Sequence, residues 1–236
     1  MDRPEYFAGV LAAADQALRE GVGEISVIEF GVAGGNGLIA LQTYAGIVEA
    51  ETGIGIRVFG FDTGDGLPEL CGDFRDHPDQ WRSSDFKMDA AALEQRLAAR
   101  TSLRLGRIAD SLPRFIAEGP PPTGFFSCDV DLYSSTKEAL QILTLPGTRM
   151  LRRVSIYFDD IDFFCSHRFA GELLAIDEFN ESGGAVRIDA WRGVKKGRVF
   201  ADQSWLDKMF VAHDLEAIDR CSVRRPPSRE FGLGGG

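Results

Sequence analysis

The sequence predicts a doubly wound α/β fold, and three observations predict it. Short apolar runs alternate with stretches whose apolar residues recur at helical spacing. The first such run stops at a glycine cluster, and two later runs end on closely spaced aspartates. Strand, glycine turn, helix and strand in that order make a βαβ unit, and hence a parallel sheet. The expected architecture is α/β: a Rossmann-like, mostly parallel sheet of seven strands, the last antiparallel, with helices on both faces.

An amphipathic helix opens the chain over residues 4–19, carrying Phe7, Val10, Leu11, Ala14 and Leu18 on one stripe. Ile25 to Phe30 is a buried strand that ends at the cluster Gly31 to Gly37. A helix with Leu38, Leu41, Ala45 and Val48 follows, then a strand from Ile56 to Phe61 that stops at Asp62. Residues 64–88 lack a clean period and are rich in Gly, Pro, Asp and aromatics, so the segment near 64–90 reads as a functional loop of lid type. Asp89 caps a helix carrying Leu93 and Leu97. Leu103 to Leu105 is a short third strand, and Ser111 to Ala117 a brief helix behind it. After Pro120, Pro121 and Pro122, Phe125 to Val130 forms the fourth strand. Ser135 and Glu138 then have capping-box spacing for a helix with Ala139, Leu140 and Leu143. Val154 to Phe158 is the fifth strand, followed by a helix marked by Phe169, Leu173, Ile176 and Phe179. Val186 to Trp191 and Met209 to Ala212 close the sheet as an antiparallel hairpin. One domain over residues 1–223 is expected, with a disordered tail over 224–236.

At 236 residues, one α/β domain with a substantial core is the natural outcome. A net charge of −10 argues against a nucleic-acid or anionic-membrane surface as main partner, since both need a basic footprint. Cys71, Cys128, Cys165 and Cys221 form no CxxC pair, so neither a disulfide framework nor a zinc site is expected. No signal peptide or membrane-spanning run is read, which makes the expected setting cytoplasmic. The sequence leaves homo-oligomerisation open.

Ligands in a doubly wound sheet sit outside the carboxyl ends of its strands. The stretch from Glu29 through Gly31, Val32, Gly34 and Gly35 follows the first strand there. Its spacing is ExGxxxG, the pattern associated with the methionine part of S-adenosylmethionine, and not the GxGxxG of nicotinamide sites. A glycine turn without a ligand is the plain alternative. Asp62, with Thr63 beside it, ends the second strand where a carboxylate suits a ribose diol. Gly106 to Asp110, which includes Arg107, follows the third strand on the expected adenine side.

Asp129 and Asp131 end the fourth strand, and Asp159 and Asp160 the fifth. Adjacent parallel strands lie about 4.8 Å apart, so these carboxylates should meet. Clustered carboxylates repel one another unless a cation or protons intervene, and oxygen-only ligation favours Mg²⁺ or a similar divalent cation. The plain alternative is a set of separate caps and solvated strand ends. His167 reads more readily as a surface or helix-start residue than as a substrate contact. Trp81, Phe74 and Phe86 either line a substrate pocket or pin the loop to the core.

With these residues in view, the chain resembles the macrocin O-methyltransferase family. The matching stretches are EFGVAGG at 29–35, GFDTGDGLPE at 60–69, DVDLYSSTKEAL at 129–140 and the aspartates at 159 and 160, within roughly residues 25–180. The resemblance implies S-adenosylmethionine as methyl donor, Asp129, Asp159 and Asp160 as metal ligands, and Asp129 as the base, with Asp131 an alternative. Characterised members methylate sugar hydroxyls of macrolide antibiotics. The aromatic-rich segment 70–90 departs from those enzymes, so their substrate is not carried over. The expected reaction is methyl transfer to a hydroxyl of a sugar, polyol or other small natural product. An NAD-dependent oxidoreductase and a non-catalytic relative are the rivals.

Overall fold

The computed structural model describes residues 2–182, 184–196, 198 and 201–221. The expected disordered tail over 224–236 lies outside the described residues. Seven strands form one sheet: β1 (Glu24–Phe30), β2 (Gly55–Asp62), β3 (Thr101–Leu105), β4 (Thr123–Cys128), β5 (Met150–Phe158), β6 (Val186–Ala190) and β7 (Met209–Asp214), in the order β3-β2-β1-β4-β5-β7-β6. The β1, β2, β3, β4 and β5 pairings are parallel, whereas β7 runs antiparallel to both β5 and β6. The doubly wound sheet with an antiparallel last strand is thus the observed fold.

Strand alternation divides the core in two. Ile25 and Val27 of β1 pack with α1 (Pro4–Glu20) and α2 (Asn36–Thr52), where α1 contributes Tyr6, Val10 and Ala14. α3 (Ala90–Glu94) adds Leu93 to that face, and its cap is the expected one: Asp89 accepts from the Ala92 N–H at 3.0 Å. Ile28 and Phe30, one step out of phase, face α4 (Ile108–Ala117), α5 (Tyr133–Leu140) and α6 (Gly171–Glu181). A period of two in the strands therefore serves helices on both sides. Among the described residues no helix is long and apolar enough to cross a membrane.

Several elements differ from expectation, each for a local reason. The fourth strand ends at Cys128, two residues early, because the chain turns there and Asp131 adopts φ 61°. Ser135 lies inside α5, whose N-cap is Leu132 with no side-chain cap bond of its own. Asp76, fully buried in the 64–90 segment, supplies that cap from afar by accepting from the Ser134 N–H at 2.8 Å. Glu138 instead crosses to the preceding helix, α4, and accepts from the Ala109 N–H at 3.1 Å. Tertiary partners displaced the local capping box. Phe169 precedes α6 and is 74 % exposed, so it belongs to no helical stripe. A short α7 (Leu215–Asp219), capped by Asp214, follows β7 and was not expected.

Candidate active site at the carboxyl ends of four strands

Register builds the site. Phe30 lies opposite both Phe61 and Cys128, and Cys128 opposite Phe158. The four central strands therefore finish level, and the ladder runs one step further: Gly31 N–H to Phe61 O, Asp129 N–H to Phe30 O and Asp159 N–H to Cys128 O, at 2.9, 2.9 and 3.0 Å. Gly31, Asp62, Asp129 and Asp159 consequently stand in one row along the sheet edge. A cavity of about 380 Å³ opens over that row, within the range of small-ligand sites.

On the β1–β2 side, two glycines are sterically required. Gly31 holds φ 83°, and a Cβ there would overlap the backbone carbonyl of Asp129. A Cβ on Gly37 would overlap the Glu29 carboxylate. Asp62 clamps the turn: its Oδ2 accepts from the N–H groups of Val32 and Ala33, both at 2.9 Å, and its Oδ1 accepts from Gly64 N–H at 2.7 Å. The carboxylate expected to meet a ribose thus spends one oxygen on the turn itself.

Beneath the turn, Glu29 is 1 % exposed, and it also lines the cavity. Its Oε1 accepts from the Tyr6 hydroxyl at 2.6 Å, and its Oε2 has no hydrogen-bond partner. Burial pushes its pKa up to about 8, against the opposing effect of the Tyr6 hydrogen bond. Tyr6 also accepts from the Ser127 hydroxyl at 2.9 Å, which fixes α1 to β1 and β4 together.

The β4–β5 side is acidic. Asp129, Asp131, Asp159 and Asp160 all line the cavity. Burial, then the charge of Asp159, raises Asp129 to about 7. Asp131 and Asp160 are raised as well, first by burial and then by neighbouring carboxylates. Asp160 is oriented from behind: its N–H donates to Glu172 at 2.9 Å, and its Oδ2 accepts from the Asp131 N–H at 3.2 Å. Asp159 accepts from the Tyr157 hydroxyl at 2.6 Å and lies 3.4 Å from the Lys208 ammonium, which also pairs with Asp162 at 2.8 Å. Among the described residues no three acidic, histidine or cysteine side chains converge on one metal-binding point. The donor set is nonetheless all carboxylate oxygen and short of positive charge, which is the chemistry a hard divalent cation requires.

The donor-binding, base and metal-ligand residues expected from the sequence all line this cavity except Asp110, which is exposed on the first turn of α4; Phe74, an exposed side chain, does not line it either. Arg107 reaches the cavity rim while paired with Glu138 at 2.8 Å. The 64–90 segment contributes Leu67, Pro68 and Phe86. Trp81 packs edge-on against Phe86 and Phe163, at ring separations of 6.2 and 5.9 Å, and so supports the wall. His167 packs edge-on against His77 at 5.1 Å, and neither lines the cavity. Sequence reasoning missed Arg3, Tyr6, Glu172 and Lys208. Each comes from an element far along the chain, and only the docking of α1, α6 and the approach to β7 brings them in.

No protein-family model matches the chain, and no curated protein matches it either. Its fold is similar to that of CalS11, a calicheamicin methyltransferase, with TM-score 0.58 and 22 % identity, covering 88 % of this chain and 77 % of that one. Two structures of CmcI, one apo and one with Mg and SAM, align with TM-score 0.44 each. Their identities are 16 % and 17 %, over 86 % and 85 % of this chain and 70 % and 69 % of theirs.

Proposed function

We propose that the chain is an S-adenosylmethionine-dependent O-methyltransferase acting on a hydroxyl of a sugar, polyol or other small natural product. The observation that carries this reading is the buried Glu29, with one oxygen unpartnered, beneath a glycine turn that shares its cavity with four aspartates. An unpartnered buried carboxylate suits the ammonium of the donor's methionine part. The fold likeness to a calicheamicin methyltransferase is in keeping with this reading.

The protein's task in such a reaction is placement. The turn over Gly31 fixes the donor, and the acidic edge about one strand away holds the acceptor oxygen in line with the methyl group. Such positioning can supply roughly 7–11 kcal/mol of the barrier. Asp129 or Asp131, both of which line the cavity, takes the hydroxyl proton. Asp129, Asp159 and Asp160 would hold a Mg²⁺ or similar ion, whose chemistry is to lower the pKa of a bound hydroxyl. Phe86, Leu67 and Pro68 give the acceptor an apolar wall.

Calorimetric titration with S-adenosylhomocysteine and with NADH tests the reading. Binding of S-adenosylhomocysteine without NADH is expected; tight NADH binding in its absence refutes it.

A further inference from the structure

Arg3 lines the cavity although it stands 26 positions before Glu29, at the N-cap of α1. Its Nη1 donates to the Tyr6 hydroxyl at 3.2 Å, the same hydroxyl that donates to Glu29 Oε1 at 2.6 Å. The guanidinium carbon also sits 5.1 Å over the Tyr6 ring, and Nη1 is 3.7 Å from Asp129 Oδ2. One tyrosine thus holds a cation and a buried carboxyl group side by side, and both residues line the cavity. Among the described residues only Nη1 of that guanidinium makes a side-chain hydrogen bond, which leaves Nε and Nη2 as donors. Glu29 Oε2, for its part, is buried without a hydrogen-bond partner.

A guanidinium with free N–H donors beside a buried carboxyl with an unpartnered oxygen is complementary to a zwitterion, whose ammonium favours the ionised carboxylate. The amino-acid end of S-adenosylmethionine is one, with an ammonium and a carboxylate on the same carbon. We propose that Arg3 binds the carboxylate of the methyl donor's amino-acid end while Glu29 binds its ammonium, so that the first turn of α1 reads the donor. Resting on the methyltransferase reading, this assignment makes Arg3 a specificity residue for the intact amino-acid tail. The planar fork of an arginine matches a carboxylate, a fit that lysine lacks.

The test compares S-adenosylhomocysteine with 5′-methylthioadenosine, which keeps the nucleoside and sulfur but has no amino-acid tail. Both are titrated calorimetrically into the wild-type chain, Arg3→Ala and Arg3→Lys, with thermal melts as the folding control. Arg3→Ala is expected to weaken S-adenosylhomocysteine by roughly 10- to 100-fold and to leave methylthioadenosine unchanged. Arg3→Lys should recover part of the loss. Equal weakening of both ligands, or unchanged affinity for S-adenosylhomocysteine, overturns the assignment while leaving the methyltransferase reading intact. A wild-type chain that binds neither ligand refutes the underlying reading and the assignment with it.

Discussion

The two halves of the cavity are made of the same material, strand tips at one level, and solve opposite problems. On the β1–β2 side nearly every polar group is spent: Asp62 accepts three backbone N–H groups, and Gly31 extends the ladder. On the β4–β5 side charge is in excess, with Asp129, Asp131 and Asp160 all raised in pKa by burial and by one another or Asp159. Apart from Glu29 Oε2, the first half is a finished mould, formed before any ligand arrives. The second is stabilised by what it binds. Substitutions should accordingly separate donor binding and folding from chemistry.

The largest separation is expected at Asp129. Asp129→Asn should lower methyl transfer by about 10²- to 10⁴-fold in kcat/KM while S-adenosylhomocysteine affinity changes little. A matching loss of affinity would erase the contrast between the halves. Gly31→Ala should do the reverse, since its Cβ meets the Asp129 carbonyl and the position holds φ 83°. We expect about 2–4 kcal/mol of lost stability in denaturant melts and little residual donor binding. Asp62→Ala leaves three turn N–H groups without their acceptor and should cost about 1–3 kcal/mol. Unchanged melts would mean that the turn does not need its clamp.

A separate effect is a pH dependence of stability. Glu29 is raised from 4.5 to about 8 in the folded chain, so the folded state keeps a proton that the unfolded state releases. Its contribution is complete below about pH 4.5 and is lost as pH rises towards about 8. Glu29→Gln should flatten this slope, narrowing the Tm difference between the two ends of that window, as read by thermal melts at each pH. An identical slope in the variant would assign the dependence to the aspartates across the cavity.

Much of the mould could be read from the chain because it is local. A strand, a glycine turn and a second strand occupy residues 25–62 without interruption, and period two fixes which side each residue takes. The aspartate tips were legible for a similar reason: parallel neighbours that end level must bring their next residues together. What could not be read depends on docking. Tyr6 reaches Glu29 and Ser127 only because α1 lies across β1 and β4. Ser135 and Glu138 have the spacing of a capping box, yet Asp76 and Ala109 supply better-placed partners from elsewhere. Asp110 lies off the cavity because the first turn of α4 carries it outward, whereas Arg107, three residues earlier, reaches the rim.

The sheet order has a consequence for synthesis. β7 is made last among the strands but occupies the place beside β5, between it and β6. Until residues 209–214 leave the ribosome, β5 presents a bare edge of unpaired amides and carbonyls, and such edges recruit other chains. The Lys208 ammonium that meets Asp159 arrives with that same strand. A nascent chain stalled short of it would therefore be both sticky and missing the cation beside its acidic rim.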